Sequence, residues 1–182
     1  MIVAPYEVCI VGNLTLPPGG LTKWRGLALE VDAFVDWPES FGRGNEDDSM
    51  TVSVGQWLDD CARYQRSGTR HFLEFGFQDE GVALRGYLEE PEYNAYHRQL
   101  AAMFRHASTI GARGSLTMVS HSGRRFLFAY VVEVAPGSST MRALTENEAN
   151  ALSNWRDVRD IMRRVDASAP EAITTPSSAS RS

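Results

Sequence analysis

The spacing of apolar residues between His71 and Val134 constrains the fold of this chain more than any other feature. Residues 91–107 carry apolar side chains at every third or fourth position, which places them on one face of a helix. That face would contain Tyr93, Tyr96, Leu100, Met103, Phe104 and Ala107. On both sides of this helix, apolar residues alternate along pairs of strand-like segments that are separated by turn residues. The stretch therefore predicts a hairpin, a helix and a second hairpin, with the helix packed on the strands.

Two capping sequences predict one helix before this stretch and one after it. Ser53 is followed three residues later by Gln56, and Thr145 by Glu148, a spacing that lets side chains and backbone amides pair in both directions. The first helix would bury Val54, Trp57, Leu58, Cys61 and Tyr64. The last would bury Ala149, Leu152, Trp155, Val158, Met162 and Val165. Because both sets recur at helical spacing, each helix is predicted to be amphipathic.

The N-terminal part of the chain has the character of strands. Apolar residues occur on both faces of the segment from Tyr6 to Leu16, which indicates a strand that is covered on two sides. Alternation from Leu27 to Val35 predicts a second strand, and residues 136–145 are predicted to form a loop. The resulting order is ββα, ββα, ββα. It predicts an α+β domain with a mainly antiparallel sheet built from hairpins and with the helices packed on one face.

The chain is expected to contain one domain and a tail. Its 182 residues match the usual length of a single domain. Residues 1–166 include every predicted strand and helix. Residues 167–182 consist mainly of Ala, Ser, Thr and Pro, and they contain too few apolar side chains to offset the entropy of ordering. We therefore predict a single domain over 1–166 and a disordered tail over 167–182.

The net charge and the N-terminal residues give expectations about binding partners and about cellular location. The net charge is −5, which argues against nucleic acid as a partner and suits a basic protein. The first residues do not show a basic start followed by a long apolar run, and no apolar run approaches the roughly 18 residues of a membrane span. We therefore expect a cytoplasmic protein without membrane contact. Cys9 and Cys61 are too few for a disulfide framework and are predicted to be buried thiols.

The sequence contains no motif that requires a particular chemistry. It has no HExxH or CxxC pattern and no Cys/His cluster, so neither a metal site nor a cofactor is predicted. A GxSxG nucleophile elbow is also missing. His97, at the edge of the apolar stripe of the middle helix, is predicted to be a core residue, and His121 is predicted to be solvated in a turn. No catalytic residue is assigned, and a non-enzymatic role is favoured.

Residues 30–48 form an acidic segment that carries more negative charge than solubility requires. It contains seven acidic residues and only one basic residue, Arg43, and the aromatic residues Trp37 and Phe41 are interleaved with the acids. Carboxylates combined with aromatic anchors are typical of an interface for a basic partner. The predicted partner-binding residues are Asp36, Trp37, Glu39, Phe41, Glu46, Asp47 and Asp48. The alternative is a solvated loop whose aromatic side chains pack into the core.

These observations favour one function and leave two alternatives. In general character, a small acidic α+β chain without a catalytic motif resembles the immunity proteins that neutralise bacterial toxins. That resemblance implies a non-catalytic binding protein of a bacterial cytoplasm, which would dock a basic toxin through the acidic segment. One alternative is a small hydrolase-type enzyme in which His97 or His71 meets a carboxylate from a distant part of the chain. The other is a subunit of a larger assembly that uses the arginine-rich face of the C-terminal helix.

Overall fold

One antiparallel sheet organises the structure. The computed structural model describes residues 7–38, 41, 52–64, 72–89, 94–152 and 154–168. Its six strands are β1 (Glu7–Thr15), β2 (Phe72–Gln78), β3 (Gly81–Glu89), β4 (Arg113–Ser122), β5 (Arg125–Ala135) and β6 (Ser138–Leu144). They lie in the order β2-β3-β1-β4-β5-β6, and each neighbouring pair is antiparallel. The predicted α+β class and the antiparallel sheet are confirmed.

Within the described residues the sheet is accompanied by five α-helices. They are α1 (Gly20–Gly26), α2 (Val54–Tyr64), α3 (Asn94–His106), α4 (Glu146–Ala151) and α5 (Asn154–Ser168). The capping box at Thr145 is confirmed, because its hydroxyl accepts from the Glu148 amide and the Glu148 carboxylate accepts from the Thr145 amide. At the start of α2, the hydroxyl of Ser53 accepts a hydrogen bond from the amide of Gln56.

The helices cover both faces of the sheet. On one face, Val8 and Ile10 of β1 belong to the main core with α1, α2 and α3. On the other face, Cys9 of β1 packs in a second cluster with Trp155 and Val158 of α5. The expectation of helices on one face is therefore not confirmed. Successive side chains of β1, β4 and β5 are apolar in both directions, and the second apolar surface requires its own cover.

Helix α3 is enclosed on nearly all sides. Every residue from His97 to Arg105 is buried, including the polar ones. The indole nitrogen of Trp24 in α1 donates to the carbonyl oxygen of Met103 at 3.0 Å, and that of Trp57 in α2 donates to the side-chain oxygen of Gln99 at 2.6 Å. Of the predicted apolar face, Leu100, Met103 and Phe104 belong to the main core, Tyr96 packs against Trp57 of α2, and Tyr93 lies outside the described residues. Gln99 and Arg105 lie beneath a second layer of the same chain, which includes Trp57 and Asp36.

Residues 27–35, which the sequence predicts to be a strand of the sheet, belong to this second layer. Residues 27–35 form an isolated bridge between Ala28 and Ser53 and a 3₁₀ turn at Val31–Ala33. Leu29 and Val31 are buried while Glu30 is exposed, so the alternation in the sequence is real, but the segment packs against the helices and not in the sheet. The ββα order is therefore not confirmed.

The C-terminal region also departs from the prediction. Residues 138–144, predicted as a loop, form β6. The single predicted helix is divided into α4 and α5, and the indole nitrogen of Trp155 donates to the carbonyl oxygen of Ala149 across the break. Ala167 and Ser168, predicted to begin the disordered tail, belong to α5, and the remainder of that tail lies outside the described residues.

The close approach of α3 to the sheet depends on a glycine in β1. A Cβ atom at Gly12 would lie 2.6 Å from Cζ of the buried Phe104. We expect Gly12→Ala to lower the free energy of unfolding by about 1–3 kcal/mol, because a close-packed core cannot take an extra methyl group without strain. Urea titration would measure the change.

Gly26→Ala is the matched control, because a Cβ atom there would meet no atom within 4 Å. We expect this control to leave stability unchanged or slightly raised, since Gly26 lies in a helix. Equal destabilisation by the two substitutions would contradict the importance of the contact between β1 and α3.

Candidate functional site

The described part of the acidic segment is held to the protein by aromatic side chains. Phe34, Trp37 and Phe41 are partly buried against the main core. Their rings form a continuous series, with centroid distances of 5.8 Å from Phe34 to Trp37, 5.4 Å from Trp37 to Phe41 and 4.8 Å from Phe41 to Tyr130 of β5. Offset and edge-to-face contacts of this kind stabilise aromatic clusters. These rings therefore anchor the segment, as the alternative of packed aromatic side chains anticipates.

Two buried arginines of α3 lie beneath the aromatic series. Cζ of Arg105 is 4.1 Å from the ring centroid of Phe34 and 5.1 Å from that of Trp37, and Cζ of Arg98 is 5.4 Å from the centroid of Trp37. The two arginines are separated by two helical turns, so they lie on the same side of α3. Cation–π attraction is strong for desolvated guanidinium groups, and it adds to the aromatic packing that holds the segment in place.

Asp36 supplies the negative charge that the buried Arg105 requires. Nη2 of Arg105 donates to both carboxylate oxygens of Asp36, at 2.6 and 2.8 Å, and Nε donates to the hydroxyl of Ser139 in β6 at 3.2 Å. The side chain of Arg105 is 3% exposed, whereas that of Asp36 is 56% exposed. A charge buried to this extent is costly without a partner. Asp36 is therefore part of the fold, although its carboxylate still faces solvent.

The outer side of the acidic segment combines carboxylates with one apolar side chain. Val35 is 96% exposed, and Glu30, Asp32 and Asp36 are exposed as well. Val35 and Asp36 lie between Phe34 and Trp37, whose rings pack against the core. An exposed apolar residue next to negative charge is a surface that a cationic, partly apolar partner could cover. We call Glu30, Asp32, Val35 and Asp36 the acidic face.

The structure brings together only some of the predicted partner-binding residues. Asp36, Trp37 and Phe41 lie close together: the carboxylate of Asp36 binds Arg105 and remains partly exposed, and the two aromatic residues are partly buried against the core. The others lie outside the described residues, namely Glu39, Glu46, Asp47 and Asp48. Sequence reasoning missed the parts played by Val35 and by the two arginines of α3. The only signal for Arg98 and Arg105 was a pair of cations on one side of a helix, which is usual for solvated helix faces.

His97, the histidine proposed for an enzymatic site, is a buried residue of α3. Burial lowers its pKa to about 4, and within the described residues its Nε2 atom has no hydrogen-bond partner. The other candidate, His71, lies outside the described residues. No group of three or more His, Cys, Asp and Glu side chains suited to hold a metal occurs in the part of the chain that the structure describes.

His121 is buried, contrary to the prediction of a solvated turn residue. It lies in β4, its ring stacks on that of Trp155 in α5 with centroids 4.7 Å apart, and burial together with Arg159 lowers its pKa. Nε of Arg159 lies 3.2 Å from a carboxylate oxygen of Glu7. This arginine of the C-terminal helix is therefore used within the chain, and His121 is covered because α5 packs on the second face of the sheet.

Both cysteines are buried and free, as predicted. Burial raises the pKa of each thiol to about 12, so neither Cys9 nor Cys61 is a thiolate at neutral pH. The described interior thus holds neutral histidines and protonated thiols.

Comparisons with protein-family models, with curated proteins and with solved structures find no match. Among the described helices, none combines the length and the apolar character needed to cross a membrane.

The pairing of Asp36 with Arg105 predicts a large difference between two neighbouring acids. We expect Asp36→Asn to lower the free energy of unfolding by about 1–3 kcal/mol, because the buried guanidinium loses its counter-charge. Asp32→Asn, a change on the exposed part of the same segment, should stay within about 0.5 kcal/mol of the wild type. Chemical denaturation at neutral pH would compare them, and equal effects would show that the ion pair contributes nothing to stability.

The burial of His97 predicts a pH dependence of stability. The folded protein holds the imidazole neutral down to a pKa of about 4, whereas the unfolded chain binds a proton near 6.5. The unfolded state therefore gains protons first, so stability is full above about pH 6.5 and is lost as the pH falls toward 4. We expect His97 to account for a loss of about 2 kcal/mol between about pH 7.5 and about pH 5.

His97→Gln should remove this part of the pH dependence, as measured by the free energy of unfolding at both pH values. His121→Gln is the control and should leave the contribution of His97 in place. If His97→Gln retained the whole wild-type dependence, a neutral buried His97 could not be its source.

Proposed function

We propose that this chain is a non-catalytic binding module that docks a basic protein through the acidic segment. The observation that carries the proposal is the acidic face, in which the exposed Val35 lies among the carboxylates of Glu30, Asp32 and Asp36. The backbone beneath this face is anchored by the partly buried aromatic side chains of Phe34, Trp37 and Phe41. A surface that is already ordered loses less conformational entropy when a partner binds, which favours affinity.

The charge of the protein supports the same partner class. The net charge of −5 equals that of residues 1–50, where the acidic segment lies. A concentration of negative charge steers a basic protein toward this part of the surface and raises the rate of association. The remaining predicted residues, Glu39, Glu46, Asp47 and Asp48, belong to the same segment and would extend the proposed contact.

The ion pair within the chain leaves Asp36 able to bind a partner. A carboxylate has about four acceptor sites, and Arg105 approaches both oxygens through the single nitrogen Nη2. The outer side of the carboxylate is exposed. An incoming arginine or lysine could therefore share Asp36 with Arg105, and the partner would not have to break the internal pair.

The partner class that we favour is a basic bacterial toxin. An acidic protein of a bacterial cytoplasm would neutralise such a toxin by covering its basic surface, without any catalytic step. This proposal accords with the protonated thiols and neutral histidines of the described interior, although it rests on the acidic face. Its specific consequence is that binding should weaken as ionic strength rises, because salt screens exposed charges.

The experiment reverses charge on the acidic face and compares a matched reversal elsewhere. Glu30→Lys with Asp32→Lys changes the acidic face, whereas Glu133→Lys with Asp157→Lys makes the same change of net charge at exposed positions of β5 and α5. Proteins retained from a bacterial lysate on each immobilised variant would be quantified by mass spectrometry at low and high salt. We expect a basic protein to be retained by the wild type and by the control pair.

The same basic protein should be reduced by about tenfold or more on the Glu30→Lys, Asp32→Lys variant, because opposite charges at the interface become like charges. Retention should also fall with added salt for the wild type. Equal retention by both charge-reversed variants would refute the role of the acidic face. Purified partner and stopped-flow mixing would then show whether the loss lies in the association rate, as electrostatic steering requires.

A further inference from the structure

The strand β6 forms the edge of the sheet that lies next to the acidic segment. Phe41 of the segment contacts the ring of Tyr130 in β5, the neighbour of β6, with 4.8 Å between the centroids. Arg105 joins the segment to β6 itself, because its Nη2 donates to Asp36 while its Nε donates to the hydroxyl of Ser139. The exposed carboxylate of Asp36 therefore lies close to this edge of the sheet.

Strand β6 lacks most of the features that usually protect an edge strand. Edges are commonly protected by lysine, proline, a bulge or a covering segment. The sequence of β6, SSTMRAL, contains neither lysine nor proline, and its register with β5 is unbroken. Its one charged side chain, that of Arg142, binds Glu148 at 2.9 Å. Within the described residues, β6 pairs with β5 alone.

Hairpin geometry indicates which backbone groups of β6 point away from β5. Two residues form the turn between β5 and β6, and the strand residues on either side of that turn are partners. Residues that flank a two-residue turn exchange backbone hydrogen bonds, and bonded and non-bonded pairs then alternate along the strands. The residues of β6 whose amides and carbonyls point outward are therefore Ser139, Met141 and Ala143. Elsewhere in the described residues, no backbone group bonds to them.

The same three residues share the face of the sheet on which the acidic segment lies. Side chains alternate along a strand, so Ser139, Met141 and Ala143 are on one side of β6. Met141 belongs to the main core and Ser139 binds Arg105, so this is the side that carries α3 and the acidic segment. In a strand added beside β6, the residues opposite these three would bond to the edge and direct their side chains to that same side.

We propose that the basic partner of this chain docks as an extended strand, which pairs antiparallel with β6 and directs its basic side chains at Asp36. The inference rests on the proposed function, since it specifies how the basic partner binds. In strand addition, backbone hydrogen bonds provide affinity and alternate side chains provide specificity. Here the bonds would come from the outward groups of β6, and the preference for basic side chains from the acidic face beside them.

A basic strand suits this edge better than β6 of a second copy. Two copies paired through β6 would be related by a two-fold axis that keeps corresponding faces of the sheet on the same side. The acidic segments of both copies would then lie on one side of the joined sheet, in chains that each carry a net charge of −5. Like charges oppose such pairing, whereas cationic side chains meet opposite charge.

The test uses a synthetic peptide as the added strand. It is as long as β6, has blocked termini, and alternates threonine with arginine, beginning and ending with threonine. In the proposed pairing its arginines lie opposite Ser139, Met141 and Ala143, so the arginine amides face β6 and the threonine amides face solvent. N-methylation of the arginines removes the donors to β6, and N-methylation of the threonines is the matched control. Fluorescence anisotropy of the labelled peptide with the full chain at low salt would measure the dissociation constant.

We expect N-methylation of the arginines to raise the dissociation constant by about tenfold or more, because the hydrogen bonds to β6 are lost. N-methylation of the threonines should change it by less than about twofold, since those amides bond to water in either state. A peptide with glutamate in place of arginine should bind at least about tenfold more weakly, because like charges then meet at the acidic face.

Two variants of the protein test the same pairing from the other side. Ala143→Pro removes one outward amide and leaves the bonds between β5 and β6 in place, so it should raise the dissociation constant by about threefold or more. Ala143→Ser keeps that amide and is the control, and thermal unfolding would confirm that both variants are folded. Glu30→Lys with Asp32→Lys should also weaken binding of the arginine peptide, because the acidic face loses its charge.

Three results would overturn the inference. If binding depended on Glu30 and Asp32 but not on N-methylation of the arginines, the acidic face would bind basic segments without strand addition, and the proposed function would stand. Equal binding of the arginine and glutamate peptides would show that β6 accepts a strand without regard to charge. No binding of the arginine peptide at the highest concentration reached would exclude β6 as the docking edge. The retention experiment with the charge-reversed variants tests the proposed function separately.

Discussion

The enclosure of α3 is the constraint on which the rest of this structure depends. Burying the polar residues of a helix together with its apolar ones is costly unless polar groups meet hydrogen-bonding or charged partners. The chain supplies several of these partners from one covering layer: the indoles of Trp24 and Trp57 bind groups on α3, and Asp36 neutralises Arg105. The layer is thus held by polar contacts that are specific in direction, and not by apolar packing alone. Gly12 lets the other side of the helix approach the sheet closely enough to complete the core.

The proposed binding surface is a consequence of that enclosure. Phe34 and Trp37, which secure the layer over α3, are partly buried against the core, whereas Val35 between them is exposed. Asp36 takes part in both roles, because one side of its carboxylate meets Arg105 while the other remains exposed. In the proposed complex, stability and recognition would be coupled at this residue, whereas substitution of the exposed Glu30 and Asp32 is expected to have little effect on the core. This separation is what makes a charge-reversal experiment interpretable.

The sheet divides the described interior into two parts. Its two faces are covered by different helices, and burial raises the pKa of the Cys9 and Cys61 thiols and lowers the pKa of the His97 and His121 imidazoles. Among the described residues, the acidic face combines exposed carboxylates with an exposed apolar side chain, which is why we propose it as the surface for a basic partner.

The sequence alone determined those features that depend on neighbours along the chain. The capping residues Ser53 and Thr145 predicted helix starts, and the spacing from Tyr93 to Ala107 predicted α3, because helix signals lie within a few residues of each other. Tertiary structure decided what each apolar surface packs against. The alternation from Leu27 to Val35 indicates which side chains are buried. It does not distinguish a strand of the sheet from an extended segment that packs on helices, because both produce the same pattern. The pairing of Asp36 with Arg105 and the placement of α5 on the second face join residues far apart in sequence, and only the three-dimensional path of the chain brings them into contact.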